Sequence, residues 1–239
     1  MLYIKKSQPS KEVADEISRV RREQKSLMIK GTPDSVRKVF DCLSKPLLRA
    51  SLIVDQHGLC AYCMRRIENG TNMTIDHWQP IERNVDGALD YKNMFGVCDG
   101  GRRIYKSATD GSHRVLCCDA SKGSRAITIN PCKSEHMMKI RYSEDGRIYT
   151  YPKDEELETD INEVLHLNGY DGIDTQTRII KGRREAYKSY VRYIMKLIQD
   201  NSLSRRVVEK RIQHIESQEK YGEFAGVILY FLKRKLKQL

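Results

Sequence analysis

The sequence predicts an α+β fold in which a small, cysteine-bearing core of short elements lies between an N-terminal and a C-terminal helical flank. Three observations predict it. Apolar residues recur at helical spacing near the start of the chain and again after Pro152. Most of the cysteines fall between residues 60 and 131, where turn residues dominate. The stretch "KIRYSEDGRIYTY" alternates apolar and polar residues on both sides of Asp145-Gly146, a hairpin signal.

The elements follow in order. Ser10 caps a segment in which Val13, Ile17, Val20 and Met28 are spaced for one amphipathic helix, ended by Gly31. Thr32 and Pro33 open a second helical stretch, broken or kinked near Pro46 and ended by Gly58. These two make an N-terminal helical segment over residues 1–59. Residues 60–152 form the core and the hairpin. Residues 153–239 form a helical C-terminal region through "EELETDINEVLHL", "TQTRIIKGRREAYKSYVRYIMKLIQ", "SRRVVEKRIQHIE" and "GEFAGVILYFLKRKL". There is no internal repeat and no low-complexity tract.

The charge is uneven. Of a formal net charge of +11 over 239 residues, residues 1–59 carry 12 Lys/Arg against 7 Asp/Glu, residues 60–175 carry 15 against 19, and residues 176–239 carry 16 against 6. A basic C-terminal third attracts polyanions, so nucleic acid or an acidic protein is a natural partner. The start, "MLYIKKSQPSKE", has no apolar run of signal-peptide length, and no stretch approaches the roughly 20 apolar residues of a membrane span. The expectation is a cytoplasmic protein with no membrane role. In a reducing compartment, seven cysteines point to metal ligands or buried thiols before disulfides.

"CAYC" supplies Cys60 and Cys63 at the spacing with which a tight turn presents two thiolates to tetrahedral zinc. A redox pair would open the helix of a βαβ unit, whereas polar turns follow here. The candidates for the second pair are Cys98, His113, Cys117, Cys118 and Cys132. Cys98 and Cys118 are chosen, with Cys117 a rival for the fourth position. Cys42 reads as core. A zinc deaminase would need H-x-E upstream of P-C-x-x-C, and neither is present.

Shortly after the knuckle, "TIDHWQP" sets Asp76 beside His77. Histidine removes a proton from water near neutral pH because its ordinary pKa is about 6.5. On an extended strand the two side chains point to opposite sides, so one can hold a metal while the other activates water. Trp78 and Pro80 read as packing and chain direction.

Taken in order, "CAYC", "IDHWQP", "DYKNMFGVC" and "CCDASKG" resemble the cysteine-flanked HNH endonuclease pattern, C-x-x-C, D-H-x-x-P, N and C-[HND]-x-x-K. The wider frame, with "LIVDQHGLCAYCMRRI", "ITINP" and "DGRIYTY", is similar to the HNH proteins encoded beside an ATPase in Septu-type and retron anti-phage systems. The similarity covers roughly residues 45–200. It implies a ββα-metal nuclease core clamped by structural zinc on Cys60, Cys63, Cys98 and Cys118. In that core His77 is the general base, Asp76 and Asp119 ligate a catalytic Mg²⁺ or Mn²⁺, Asn93 orients the histidine, and Lys122 neutralises phosphate. It implies phosphodiester hydrolysis to 5′-phosphate and 3′-hydroxyl ends on DNA or RNA, tRNA included. The implied partners are an ABC/SMC-like ATPase and, in the retron setting, a reverse transcriptase with its multicopy single-stranded DNA, making the chain the toxic effector of the complex. Two departures stand out: the long polar excursion between Cys98 and Cys118, and the absence of an acidic run after "NP". The rival reading is a non-catalytic zinc-knuckle module that binds nucleic acid or a partner. The apolar run Val227, Ile228, Leu229, Phe231 and Leu232 reads as helical core or a docking face.

Overall fold

The computed structural model describes residues 1–103 and 115–239. The chain begins with α1 (Lys11–Glu23), whose Ser10 hydroxyl accepts from the Val13 amide at 3.4 Å and whose Val13, Ile17 and Val20 are buried. The single helix expected up to Gly31 is instead two, α1 and α2 (Lys25–Lys30). The break falls at Gln24, where the apolar stripe carries a polar residue, and Leu27 and Met28 of α2 still pack against the core. Gly31 ends α2 in the left-handed conformation at φ +61°. A reciprocal Thr32–Ser35 capping box then starts α3 (Pro33–Asp41). The expected break near Pro46 is the start of a new helix, α4 (Lys45–Asp55), where the missing amide of proline costs no hydrogen bond.

The middle of the chain builds two strands and a short helix. β1 (Met73–His77) pairs antiparallel with β2 (Met94–Cys98), setting Asp76 opposite Phe95 and His77 opposite Met94. Their connection holds two 3-10 turns, Asp86–Leu89 and Tyr91–Asn93. α5 (Asp119–Lys122) follows. After α6 (Ser134–Lys139) comes the expected hairpin, β3 (Ile140–Tyr142) with β4 (Ile148–Thr150). α7 (Glu155–Thr159) runs on into a π turn at Asp160–Val164. The last three helices are α8 (Ile179–Gln199), α9 (Arg205–Glu216) and α10 (Ala225–Leu236).

Buried side chains from all three stretches of the chain join in one cluster, among them Val13, Leu48, Tyr62, Phe95, Ile129, Leu165 and Val227. A second cluster, Ile194, Val208, Ile212, Leu229 and Leu232, holds α8, α9 and α10 together. Val227, Leu229, Phe231 and Leu232 are all buried, so the C-terminal apolar run is core rather than a docking face. No helix among the described residues is long and apolar enough to cross a membrane.

One buried cation ties the hairpin to α8. Arg183 is 1% exposed, and its guanidinium donates to Gly146 O at 2.6 Å, to Asn168 Oδ1 at 3.3 Å and to Leu167 O. Gly146 is required at this junction: it has φ +92°, and a Cβ there would sit 2.3 Å from Ile180 O. Replacing Arg183 by methionine fills similar space but strips the buried carbonyls of Gly146 and Leu167 of this donor, while Asn168 Oδ1 keeps the Ile148 amide. The expected loss is about 2–4 kcal/mol, seen as a fall in Tm on the order of 10 °C. An unchanged melting curve would show that this tie contributes nothing.

Candidate metal centre and the acid–base site beside it

The Cys60–Cys63 knuckle is a tight hairpin. Leu59 bridges to Arg66, the Cys60 amide donates to Arg65 O at 2.8 Å and the Met64 amide to Cys60 O at 3.1 Å, with Met64 left-handed at φ +65°. It is pinned to β2 from two directions. The Ala61 amide donates to Gly96 O at 3.1 Å, and buried Gln56 donates to Leu59 O at 2.8 Å and to Gly96 O at 2.7 Å while accepting from the Gly96 amide at 2.7 Å.

The other two thiols arrive from separate elements. Cys98 ends β2. Cys118 precedes α5 with its amide donating to Leu165 O at 2.9 Å and its backbone at φ +55°, a strained position for a residue with a Cβ. The Sγ atoms of Cys60, Cys63, Cys98 and Cys118 all lie within 4.8 Å of one another, and all four residues are buried. Cys60 and Cys118 are 3.8 Å apart and Cys63 and Cys98 3.6 Å. A tetrahedron of sulfurs about 2.3 Å from zinc has edges of about 3.8 Å, so the cluster has the dimensions of a Cys₄ metal site. Burial pushes the Cys63 and Cys118 thiols well above the ordinary range, so holding all four as thiolates needs a cation among them.

The fourth sulfur gathered with Cys60, Cys63 and Cys98 is that of Cys118. Cys117 lies next to it, but its sulfur is 3.4 Å from Thr177 Oγ1. His113 falls outside the described residues. Cys132 is half-buried and apart from the cluster. Cys42 is exposed, its thiol donating to Lys38 O at 3.3 Å, contrary to the core expectation. The buried stripe of α3 runs through Val36, Val39 and Phe40, and Cys42 is off it.

Asp76 and His77 diverge from β1 as the pleat requires. The Asp76 carboxylate is 5% exposed and accepts from the Tyr62 hydroxyl at 2.5 Å and from Lys122 Nζ at 2.8 Å. Burial pushes this carboxyl up to about 6, against the pull of the Lys122 ammonium and with the charge of Asp119 adding to the rise. Tyr62, also pushed up by burial, remains a protonated donor. Asp119, on the Thr74 side of the strand, accepts from Thr74 Oγ1 at 3.4 Å and pairs with Arg102 at 2.8 Å.

On the other side His77 Nε2 lies 2.9 Å from Ala88 O, which makes Nε2 the protonated nitrogen and Nδ1 the acceptor. Nδ1 has no hydrogen-bond partner among the described residues. The Phe40 ring stands edge-on to the imidazole at 4.6 Å. Burial, rather than a charge partner, is the largest influence on His77 and lowers its pKa, keeping it neutral at neutral pH.

Three expectations for this site change. Lys122 does not face phosphate: it is 1% exposed, and its ammonium holds Asp76 and His77 O, the latter at 2.7 Å. A lysine this deep survives only with its charge paired. Asn93 does not touch the imidazole. Its side chain grips Gln79 through the amide at 2.8 Å and the carbonyl at 3.0 Å, and donates to Gly87 O at 3.1 Å. It therefore positions His77 through the backbone, by holding the chain after the histidine against the turn that supplies the Ala88 carbonyl. Asp76 and Asp119, finally, do not fit a divalent cation as arranged. Both Asp76 oxygens already have donors, one of them an ammonium, and Asp119 is paired with Arg102. Among the described residues the four cysteines are the only group of three or more His/Cys/Asp/Glu gathered closely enough to hold a metal.

Tyr62 and Arg102 are the site residues that sequence reasoning passed over. Tyr62 was within reach, since it lies inside "CAYC" and is carried toward β1 by the knuckle itself. Arg102 offered no signal beyond its charge. No protein-family model matches the chain, and no curated protein matches it significantly.

Two outcomes test this arrangement. Cys118→Ser is expected to lose both bound zinc and folded protein, because a structural site and its fold form together, while Cys117→Ser keeps one zinc per chain by mass spectrometry of the native protein. The reverse pattern would move the fourth ligand to Cys117. Lys122→Ala leaves Asp76 buried without its cation and is expected to cost about 3–5 kcal/mol in chemical denaturation. A surface phosphate contact would show no such loss.

Proposed function

We propose that the chain is an HNH-type endonuclease that hydrolyses phosphodiester bonds in nucleic acid. One observation carries the reading: an imidazole locked by a backbone carbonyl at Nε2, with Nδ1 left as a neutral acceptor. It stands on a strand paired with β2, whose Cys98 belongs to the four-cysteine cluster, and follows an aspartate in the order of the HNH pattern. In the reaction Nδ1 of His77 accepts the proton of the attacking water, and Ala88 O holds the ring as it becomes cationic. Asn93 keeps the supporting turn in place. Zinc on four thiolates has no open position and serves only to hold the scaffold. The resemblance assigns the charge on the phosphate to Mg²⁺ or Mn²⁺ at Asp76 and Asp119; the geometry of Asp76 does not support that assignment.

The same closed carboxylates favour a second reading, a zinc-clamped nucleic-acid-binding or adaptor protein that does not cut. The motif resemblance supports an anti-phage role for the nuclease, as effector of a complex with an ABC/SMC-like ATPase and, in a retron setting, a reverse transcriptase with its multicopy single-stranded DNA. Co-purification with those proteins tests that assembly.

The deciding experiment sequences the ends of DNA and RNA, tRNA included, from cells expressing the chain with its neighbouring ATPase. New 5′-phosphate ends are expected, absent in the His77→Ala strain, with a loss on the order of 10²- to 10⁴-fold. Equal cutting by His77→Ala would end the catalytic assignment, and no cutting by either would leave the binding module. The rate should hold between pH 8 and about 6.5, since the lowered pKa of His77 keeps it neutral there, and fall below that as the imidazole protonates. An acid limb above pH 7 would contradict a base depressed by burial.

A further inference from the structure

A groove of about 1010 Å³ runs between the β3–β4 hairpin and α10, with Met1–Tyr3 along it, and His77 is not among its lining residues. Two walls of different origin present the same chemistry. In the hairpin, Ile140, Tyr142, Ile148 and Thr150 point into the core. The pleat therefore turns Arg141 and Tyr149, directly opposed in the register, to the outside, with Tyr151 two residues further on. Tyr149 is 39% exposed and Tyr151 66%. Along α10, Tyr230, Arg234 and, just past the helix end, Lys237 are spaced by four and three residues, so they share the face toward the hairpin. Arg234 is close enough for its charge to act on the Tyr149 phenol.

The cations of this groove are largely unneutralised. Arg141 is fixed by the carbonyls of Met138 at 2.6 Å and Ile140 at 2.9 Å. Neither it, Arg234 nor Lys237 has a carboxylate partner among the described residues. Glu216, the one acidic residue lining the groove among the described residues, is already paired with Lys233 at 2.7 Å. Exposed tyrosine rings have no solvation reason to gather here, and a solvated basic face would not need them.

We infer that this groove binds single-stranded nucleic acid, with phosphates on Arg141, Arg234 and Lys237 and bases stacked on Tyr149 and Tyr151. A single strand offers phosphates and open base faces together, which is the pairing of basic groove and aromatic platform found here. A duplex offers the phosphates but hides the base faces, and an acidic peptide offers carboxylates with no planar partner for the rings. The inference deepens the nuclease reading by naming the form of its substrate, yet binding and cutting are separate measurements.

The test is fluorescence anisotropy of the full chain without added Mg²⁺ or Mn²⁺. The probes are one labelled oligonucleotide as single-stranded DNA, as single-stranded RNA and as its duplex, and a labelled acidic peptide of similar charge. The single strands are expected to bind tightest. Tyr151→Ala should weaken them at least about fivefold, the lower end of one base-stacking contribution, with little effect on the duplex. Arg234→Gln with Lys237→Gln should weaken every nucleic acid and flatten the single-strand salt dependence by about 0.7 per cation removed. Tyr151 and Lys237 are exposed, and unchanged circular dichroism and Tm confirm that the variants fold. Equal or tighter binding of the duplex or the peptide, or wild-type affinity in these variants, overturns the inference. Failure of the groove leaves His77-dependent cutting intact, and failure of the nuclease reading leaves strand binding intact.

Discussion

Four thiols brought to within a few ångströms of one another organise the centre of this protein. Cys60 and Cys63 come from a turn, Cys98 from the end of β2 and Cys118 from a strained position before α5. The two strands are only five residues each, and a two-stranded sheet is marginal by itself. Gathering the knuckle, the end of β2 and the start of α5 around one cluster of four thiols, which could hold a metal such as zinc, supplies what the short ladder lacks. The positions of Asp76, His77 and Asp119 all follow from that closure, because each is on an element that carries or adjoins a cysteine.

The clamp also builds a second, polar layer. The knuckle that delivers Cys60 and Cys63 delivers Tyr62 to Asp76, and the short helix that follows Cys118 delivers Lys122 to the same carboxylate. A carboxylate and an ammonium buried together cost more in desolvation than their attraction returns unless their remaining hydrogen-bonding sites are filled. Here the Tyr62 hydroxyl and His77 O fill them. The result is a stiff support beneath His77 and, equally, an aspartate whose oxygens are committed. The tension between an exposed catalytic role and a buried structural one is concentrated in this pair.

The molecule presents its basic character away from that centre. The surplus of the C-terminal third is not a uniform halo: on the face of α10 toward the hairpin it meets exposed tyrosines across a groove, while the apolar face of the same helix fills the core. One helix thus joins the folding core to a basic groove with exposed tyrosines.

Much of this was legible in the residues themselves. The helical flanks, the hairpin at Asp145-Gly146, the break at Pro46 and the Cys60–Cys63 knuckle follow from periodicity, turn chemistry and ligand spacing, which are local properties. The choice of Cys118 over Cys117 needed the fold, since adjacent residues differ only in which way the backbone turns them. So did the roles of Lys122 and Asn93: a lysine in a motif looks the same whether its ammonium meets phosphate or a buried aspartate, and an asparagine the same whether it holds a ring or a turn. The split of the first helix at Gln24 and the exposure of Cys42 show the same limit at smaller scale. Sequence determined which residues have the chemistry to bind zinc and to carry a proton. Tertiary structure alone decided which faces are buried, and burial is what turned Lys122 from an expected phosphate contact into a pin and Asp76 from an expected metal ligand into the partner of that pin.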